Sequence, residues 1–155
     1  MSPELATFLI AMSPVVELRG SIPIAINIYH LPVWSAFAWS VLGNIIPLCF
    51  IVGTGDFFLK LFGRYMPILN SIAVKIFEHT RKVQQSKVAR WGKNITVLLL
   101  VATPIPFLGG WTGAIAAFAF GMRLKKAFPF LLLGSMLGGV IVTLLTFGFT
   151  AIFLS

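Results

Sequence analysis

Residues 94–122 read NITVLLLVATPIPFLGGWTGAIAAFAFGM, and whether this stretch can cross a bilayer decides the fold. It carries no charge, yet Pro104, Pro106, Gly109, Gly110 and Gly113 interrupt its middle. Each proline removes a backbone donor and each glycine tolerates unusual dihedrals, so a helix is predicted to stop here and restart. Both flanks are basic, with Lys93 before it and Arg123, Lys125 and Lys126 after it. Lys and Arg gather on the cytoplasmic side of membrane proteins, so both ends are predicted on that side. A segment that enters and leaves by one face must turn within the membrane, which makes residues 95–122 a re-entrant helical hairpin.

The rest of the chain supplies the membrane itself. Of 155 residues, 58% are hydrophobic and 10% charged, against about 45–50% and about 25% in soluble domains. With a mean hydropathy of +0.97, a soluble domain of this size could not bury so much apolar surface. The length allows one domain, residues 1–155, and excludes a large catalytic apparatus. A net charge of +8 would suggest nucleic acid in a soluble protein. Its distribution argues otherwise, because eight of the twelve basic residues fall between Lys60 and Lys93 with one acid, Glu78. This connector, residues 60–94, also carries Leu69, Ile72, Ala73, Ile76, Phe77, Thr80, Val83, Val88 and Trp91 near helical spacing. That pattern predicts an amphipathic helix lying in the headgroup layer on the cytoplasmic side, with membrane lipids and no nucleic acid as its partner.

Three further uncharged stretches complete the plan. Leu5–Val16 is too short to span, since a crossing needs about 20 residues. The first charge is Glu4, not the basic start of a signal peptide, so the segment is expected to stay in the mature chain. With residues up to 30 it repeats the layout of 95–122: an apolar arm, the break SPVVELRGSIP at residues 13–23, and a second apolar arm. Residues 32–59 and 127–153 are each predicted as one transmembrane helix. The fold class is therefore all-α integral membrane, two repeats of hairpin plus spanning helix joined by the basic connector. An offset near 90 lays Pro14 on Pro104, Leu18 on Leu108 and Gly20 on Gly110; an offset of 91 lays Leu42, Gly43 and Asn44 on Leu133, Gly134 and Ser135. With the connector inside, the hairpins enter from opposite faces, the inverted arrangement common in secondary transporters. The rival is four full spans, which would place Arg123, Lys125 and Lys126 outside and carry Glu17 and Arg19 through the core on a continuous helix.

Glu17 and Arg19 are the only charges between Glu4 and Asp56. Each would cost about 2.5–3.5 kcal/mol at the membrane centre, which calls for a compensating role. Two readings stand. In one they clamp the opened backbone of the opposite hairpin. In the other Arg19 binds an anion or phosphate, while Glu17 carries a proton or balances a cationic substrate. The second turn offers backbone instead: Gly109, Gly110 and Gly113 allow close approach, and the arm starting near Thr112 presents a helix N-terminus that favours anions. Gly20, Pro23, Pro104 and Pro106 belong to the same two breaks. Asn44 lies mid-membrane, either bonding across the repeat or lining a path. Asp56 is expected to pair with Lys60 at i,i+4 near the interface, and with Arg123 it is a secondary candidate. Cys49 is alone and the two histidines are far apart, so no metal site and no cofactor is expected. No GxSxG, HExxH or Walker motif occurs, so the chain is read as no enzyme and uphill transport would use an ion gradient.

Through PVVELRGSIPIAI (14–26) and TPIPFLGGWTGAIAAFAFGM (103–122) the chain resembles the small multidrug export protein family. That family looks like a compact relative of the DedA, or VTT, superfamily. The resemblance implies a bacterial or archaeal cytoplasmic-membrane protein with paired re-entrant hairpins, and proton-dependent flipping of undecaprenyl phosphate or phospholipids. It matches the family's acidic and basic positions with Glu17 and Arg19. DedA relatives also carry arginines in their second half, where this chain has only Arg123 near the hairpin. The readings carried forward are a proton-coupled transporter or flippase for an amphipathic lipid phosphate, a lipophilic-cation exporter driven by protons, and a non-transporting assembly factor. A homodimer is expected from the modest core.

Overall fold

A computed structural model describes residues 1–65, 67–68, 71–72, 75, 87–105 and 109–153. Residues 66, 69–70, 73–74 and 76–86 of the basic connector and Pro106 lie outside the described residues, and so do the amphipathic-helix expectations at Leu69, Ala73, Ile76, Phe77, Thr80 and Val83. Every described element is a helix: α1 Pro3–Met12, α2 Glu17–Asn27, α3 Val33–Tyr65, α4 Lys87–Ala102, α5 Gly110–Ala119 and α6 Leu124–Phe153.

Local chemistry sets most of the ends. Ser2 caps α1 by accepting from the Leu5 N–H, with Pro3 at the first position and Glu4 in the first turn. Pro14 forces the preceding Ser13 into extended backbone and stops α1. Pro104 follows the end of α4 in the same way. At the end of α5, Gly121 takes φ 71° and the Met122 N–H reaches back to the Ala117 carbonyl, a Schellman closure.

Length separates the long helices from the short ones, with α4, at 16 residues, between them. α3, with 33 residues, and α6, with 30, exceed a bilayer crossing. α1, α2 and α5 have 10, 11 and 10 residues, about 15 Å each at 1.5 Å per residue, half the hydrocarbon thickness. The breaks at 13–16 and at 103–105 rule out continuous helices through Glu17–Arg19 and through 94–122, as four unbroken spans would need. One boundary shifts: α3 runs on through Tyr65 instead of ending at 59, because nothing in DFFLKLFGRY (residues 56–65) breaks it.

The long helices pack antiparallel. Phe37 near the start of α3 meets Gly139, Asn44 meets Ser135, and Gly53 meets Leu124 at the start of α6. α1 packs on α3 and α4 on α6, while α2 packs on α6 and α5 on α3 as well. Both first arms approach closely through one glycine. A Cβ on Gly43 would strike the Phe8 carbonyl and Ala11, and one on Gly134 would strike the Leu98 carbonyl and Val101. The core is built of small and aliphatic side chains in two clusters. One joins Leu48, Val97, Val101, Ala114 and Leu131; the other joins Leu18, Ile22, Val41 and Val142. The outer faces carry Leu42, Ile46, Phe50, Leu133, Leu137 and Leu144 exposed, an apolar surface suited to lipid.

Candidate functional site

The first turn of α2 reaches both helix ends of the second break. Glu17 is the first residue of α2 and its backbone sits at φ 49°, a left-handed conformation uncommon outside glycine. Its side chain is buried, and Oε1 accepts from the Trp111 backbone N–H at 3.2 Å. α5 has Gly109 at its N-cap and makes no side-chain cap of its own. The cap therefore comes from the other hairpin, as a carboxylate placed where the helix dipole is positive.

Arg19 does the converse. Its guanidinium donates to the carbonyls of Thr103 and Ile105, just beyond the C-terminus of α4, where the dipole is negative and carbonyls lack intrahelical donors. Residues two apart on a helix diverge, so one turn of α2 can serve both ends. Between the two side chains lies Gly109. A Cβ there would run into the Arg19 guanidinium and Glu17 Oε2, so the junction requires glycine for close approach.

Several sequence-nominated residues gather at this junction. Gly110 packs on Asn44 and Leu48, Pro104 lies beside Arg19, and Asn44 donates from Nδ2 to Ser135 Oγ at 3.2 Å. Of the two roles considered for Asn44, the bond between the long helices is made. Others fall elsewhere. Gly20 packs on Val16 at its own turn and Gly113 on Val101, while Thr112 is half-buried on α5. Asp56 is exposed on α3, and among the described residues no ion pair joins it to Lys60 as the i,i+4 spacing had predicted. Arg123 is exposed at the start of α6, away from the turn, with its carbonyl accepting from the Lys126 and Ala127 N–H groups.

A groove opens beside the junction, between α2 and the second half of α6. It encloses about 310 Å³. Arg19 is its charged wall; Asn27, Thr146 and Thr150 add polar atoms, and Pro23, Leu145 and Phe149 an apolar side. Of the lining residues, Arg19, Pro23 and Pro104 were nominated from sequence. Thr146 and Thr150 bond back to the carbonyls of Val142 and Thr146, ordinary behaviour for helical threonines. Hydroxyls at Thr146 and Thr150, one helical turn apart in a largely apolar span, were the available signal. Ser135 was also missed, although the offset of 91 had already set it opposite Asn44.

Short apolar helices tied to each other against two helices long and apolar enough to cross a bilayer define a helical membrane protein. The family described as "Putative small multi-drug export protein" matches residues 17–141, and the chain belongs to it. No curated protein and no solved structure matches the chain.

Proposed function

We propose that this protein is a secondary transporter or flippase that moves an amphipathic substrate with an anionic head, a lipid phosphate being the class that fits, through the groove at Arg19. One observation carries the reading. Among the described residues lining the groove Arg19 is the charged one, whereas Glu17 is buried behind it. A head group bound to the guanidinium would compete with the Thr103 and Ile105 carbonyls, so binding would loosen the tie to the second hairpin. Protonation of Glu17 would weaken the cap on α5 in the same way, since a charged acceptor makes a stronger bond than a neutral one. Substrate and proton would thus act on one clamp.

The inverted repeat supplies the motion in this proposal. Several relations in the structure support it. Asn44 and Ser135, matched at an offset of 91, bond to each other where antiparallel α3 and α6 cross. Gly43 and Gly134 share that offset, and each contacts a residue pair, Phe8 with Ala11 or Leu98 with Val101, related by 90. A two-fold axis through the 44–135 contact and perpendicular to antiparallel helices lies in the membrane plane, as alternating access requires. The hairpins would then be re-entrant from opposite faces, with residues 60–94 and 123–126 cytoplasmic. The two sides also differ. The counterpart of the groove lies between α5 and α3, and there the Phe118 ring sits on Gly55. On the groove side the matching Ile28 is 65% exposed, and Thr146 lines the groove instead. The structure thus fits a state open on the α2–α6 side.

The test is reconstitution in vesicles with a fluorescent lipid phosphate and a membrane-impermeant quencher. Arg19→Ala is expected to abolish flipping. Unchanged flipping overturns the reading. The family description favours a second reading, export of lipophilic cations exchanged for protons at Glu17. In that case Glu17→Gln abolishes cation export while Arg19→Ala leaves the lipid assay at its vesicle background.

A further inference from the structure

Behind the clamp lies a small chamber between α2, α3, α6 and the end of α4, of about 10 Å³, close to the room that one water needs. Glu17, Asn44, Thr103 and Ser135 bring polar groups to its wall, with Arg19 at one side. Asn44 is 2% exposed. Its Nδ2 serves Ser135, but among the described residues Oδ1 meets no donor. Exchanging the amide oxygen and nitrogen would let Ser135 donate to Oδ1 but leave the buried NH2 group without an acceptor, so an unmatched polar group remains in either orientation. Ser135 shows the complementary lack. Thr143, Thr146 and Thr150 on the same helix each donate to the carbonyl four residues back. Among the described residues, the one hydrogen bond of Ser135 is the one it accepts from Asn44. A buried acceptor without a donor and a hydroxyl without an acceptor therefore share one wall, with a carboxylate on the same chamber. Leaving such groups unmatched carries the full cost of taking them out of water.

We propose that this chamber is a binding site for a single resident water. The water accepts from the Ser135 hydroxyl, donates to Asn44 Oδ1 and donates its second proton to the Glu17 carboxylate, the three bonds usual for a buried water. A metal cation is disfavoured, because the Arg19 guanidinium lines the same chamber and the space admits about one oxygen. The Trp111 N–H holds one carboxylate oxygen of Glu17, so the water solvates that group from its buried side. It also couples the clamp to the contact between the long helices, and gives Glu17 a proton-exchange partner there. The site stands whatever substrate is carried.

The test is a crystal structure of the full chain in lipid, at a resolution that shows ordered waters. Wild type is expected to show one peak within about 2.7–3.2 Å of Asn44, Ser135 and Glu17, and Asn44→Leu and Ser135→Ala to lose it. No peak in wild type, a peak with the short many-oxygen coordination of a cation, or a peak that survives both variants would overturn the proposal. A second readout needs no crystal. The infrared carboxyl band of Glu17, isolated by subtracting Glu17→Gln, is expected to move in Ser135→Ala; an identical band in Ser135→Ala and wild type counts against the water.

Discussion

Glu17 and Arg19 sit two positions apart and end on opposite poles of two different helices. Their value is electrostatic and local: a carboxylate at the N-terminus of α5 and a guanidinium at the carbonyls beyond α4. Glu17→Ala leaves the Trp111 N–H without its acceptor and is expected to lower stability by about 1–3 kcal/mol. Glu17→Gln keeps an acceptor oxygen and is expected to lose less; thermal melting of the purified protein orders the two. Arg19→Lys retains the charge but not the planar fork that spans two carbonyls. It is expected to lose most of the transport that Arg19→Ala loses, read as initial rate in vesicles. Gly109→Ala should match Arg19→Ala in that assay, because its methyl occupies the space of the guanidinium and carboxylate; a wild-type rate for Gly109→Ala would contradict the geometry. The sequence alone makes both charges conspicuous, since an apolar chain keeps so few. It leaves their partners undecided, because those partners are backbone atoms more than 80 positions away, and a backbone carbonyl leaves no mark in the residue pattern.

At the scale of elements, the breaks are readable and the groove is not. Pro14, Pro104 and the glycines beyond them announce that two apolar segments cannot run through, and the helices stop where they say. α3 continues past the predicted boundary because charge marks where a membrane ends, not where a helix does. The groove between α2 and α6 depends on how far two helices separate, a property of packing that periodicity does not record. Phe118 on Gly55 marks the side where the matching helices stay together. Phe118→Ala is expected to open that side. Thr54→Cys, on a Cys49→Ser background, should then react faster with a water-soluble thiol reagent than it does with Phe118 in place. An unchanged rate would mean that the ring does not hold the two helices together.

At the scale of the whole molecule, the described residues form shorter helices packed on two long antiparallel ones, with Glu17 and Arg19 of α2 tying off the ends of α5 and α4. Composition shows that the chain belongs in lipid, and the exposed leucines and phenylalanines of α3 and α6 agree. Those same faces would accept a second copy, and a homodimer is expected by light scattering in mild detergent. Everything proposed for the clamp and the groove depends on the hairpins entering from opposite faces. Single cysteines on the Cys49→Ser background at Ser2 and His30, and at Asn94 and Arg123, labelled with an impermeant reagent on intact cells, measure this directly. The account predicts that Ser2→Cys and His30→Cys label from outside and that Asn94→Cys and Arg123→Cys label only after the membrane is opened. Labelling of Ser2→Cys and His30→Cys from opposite sides, or of Asn94→Cys and Arg123→Cys from opposite sides, would contradict it.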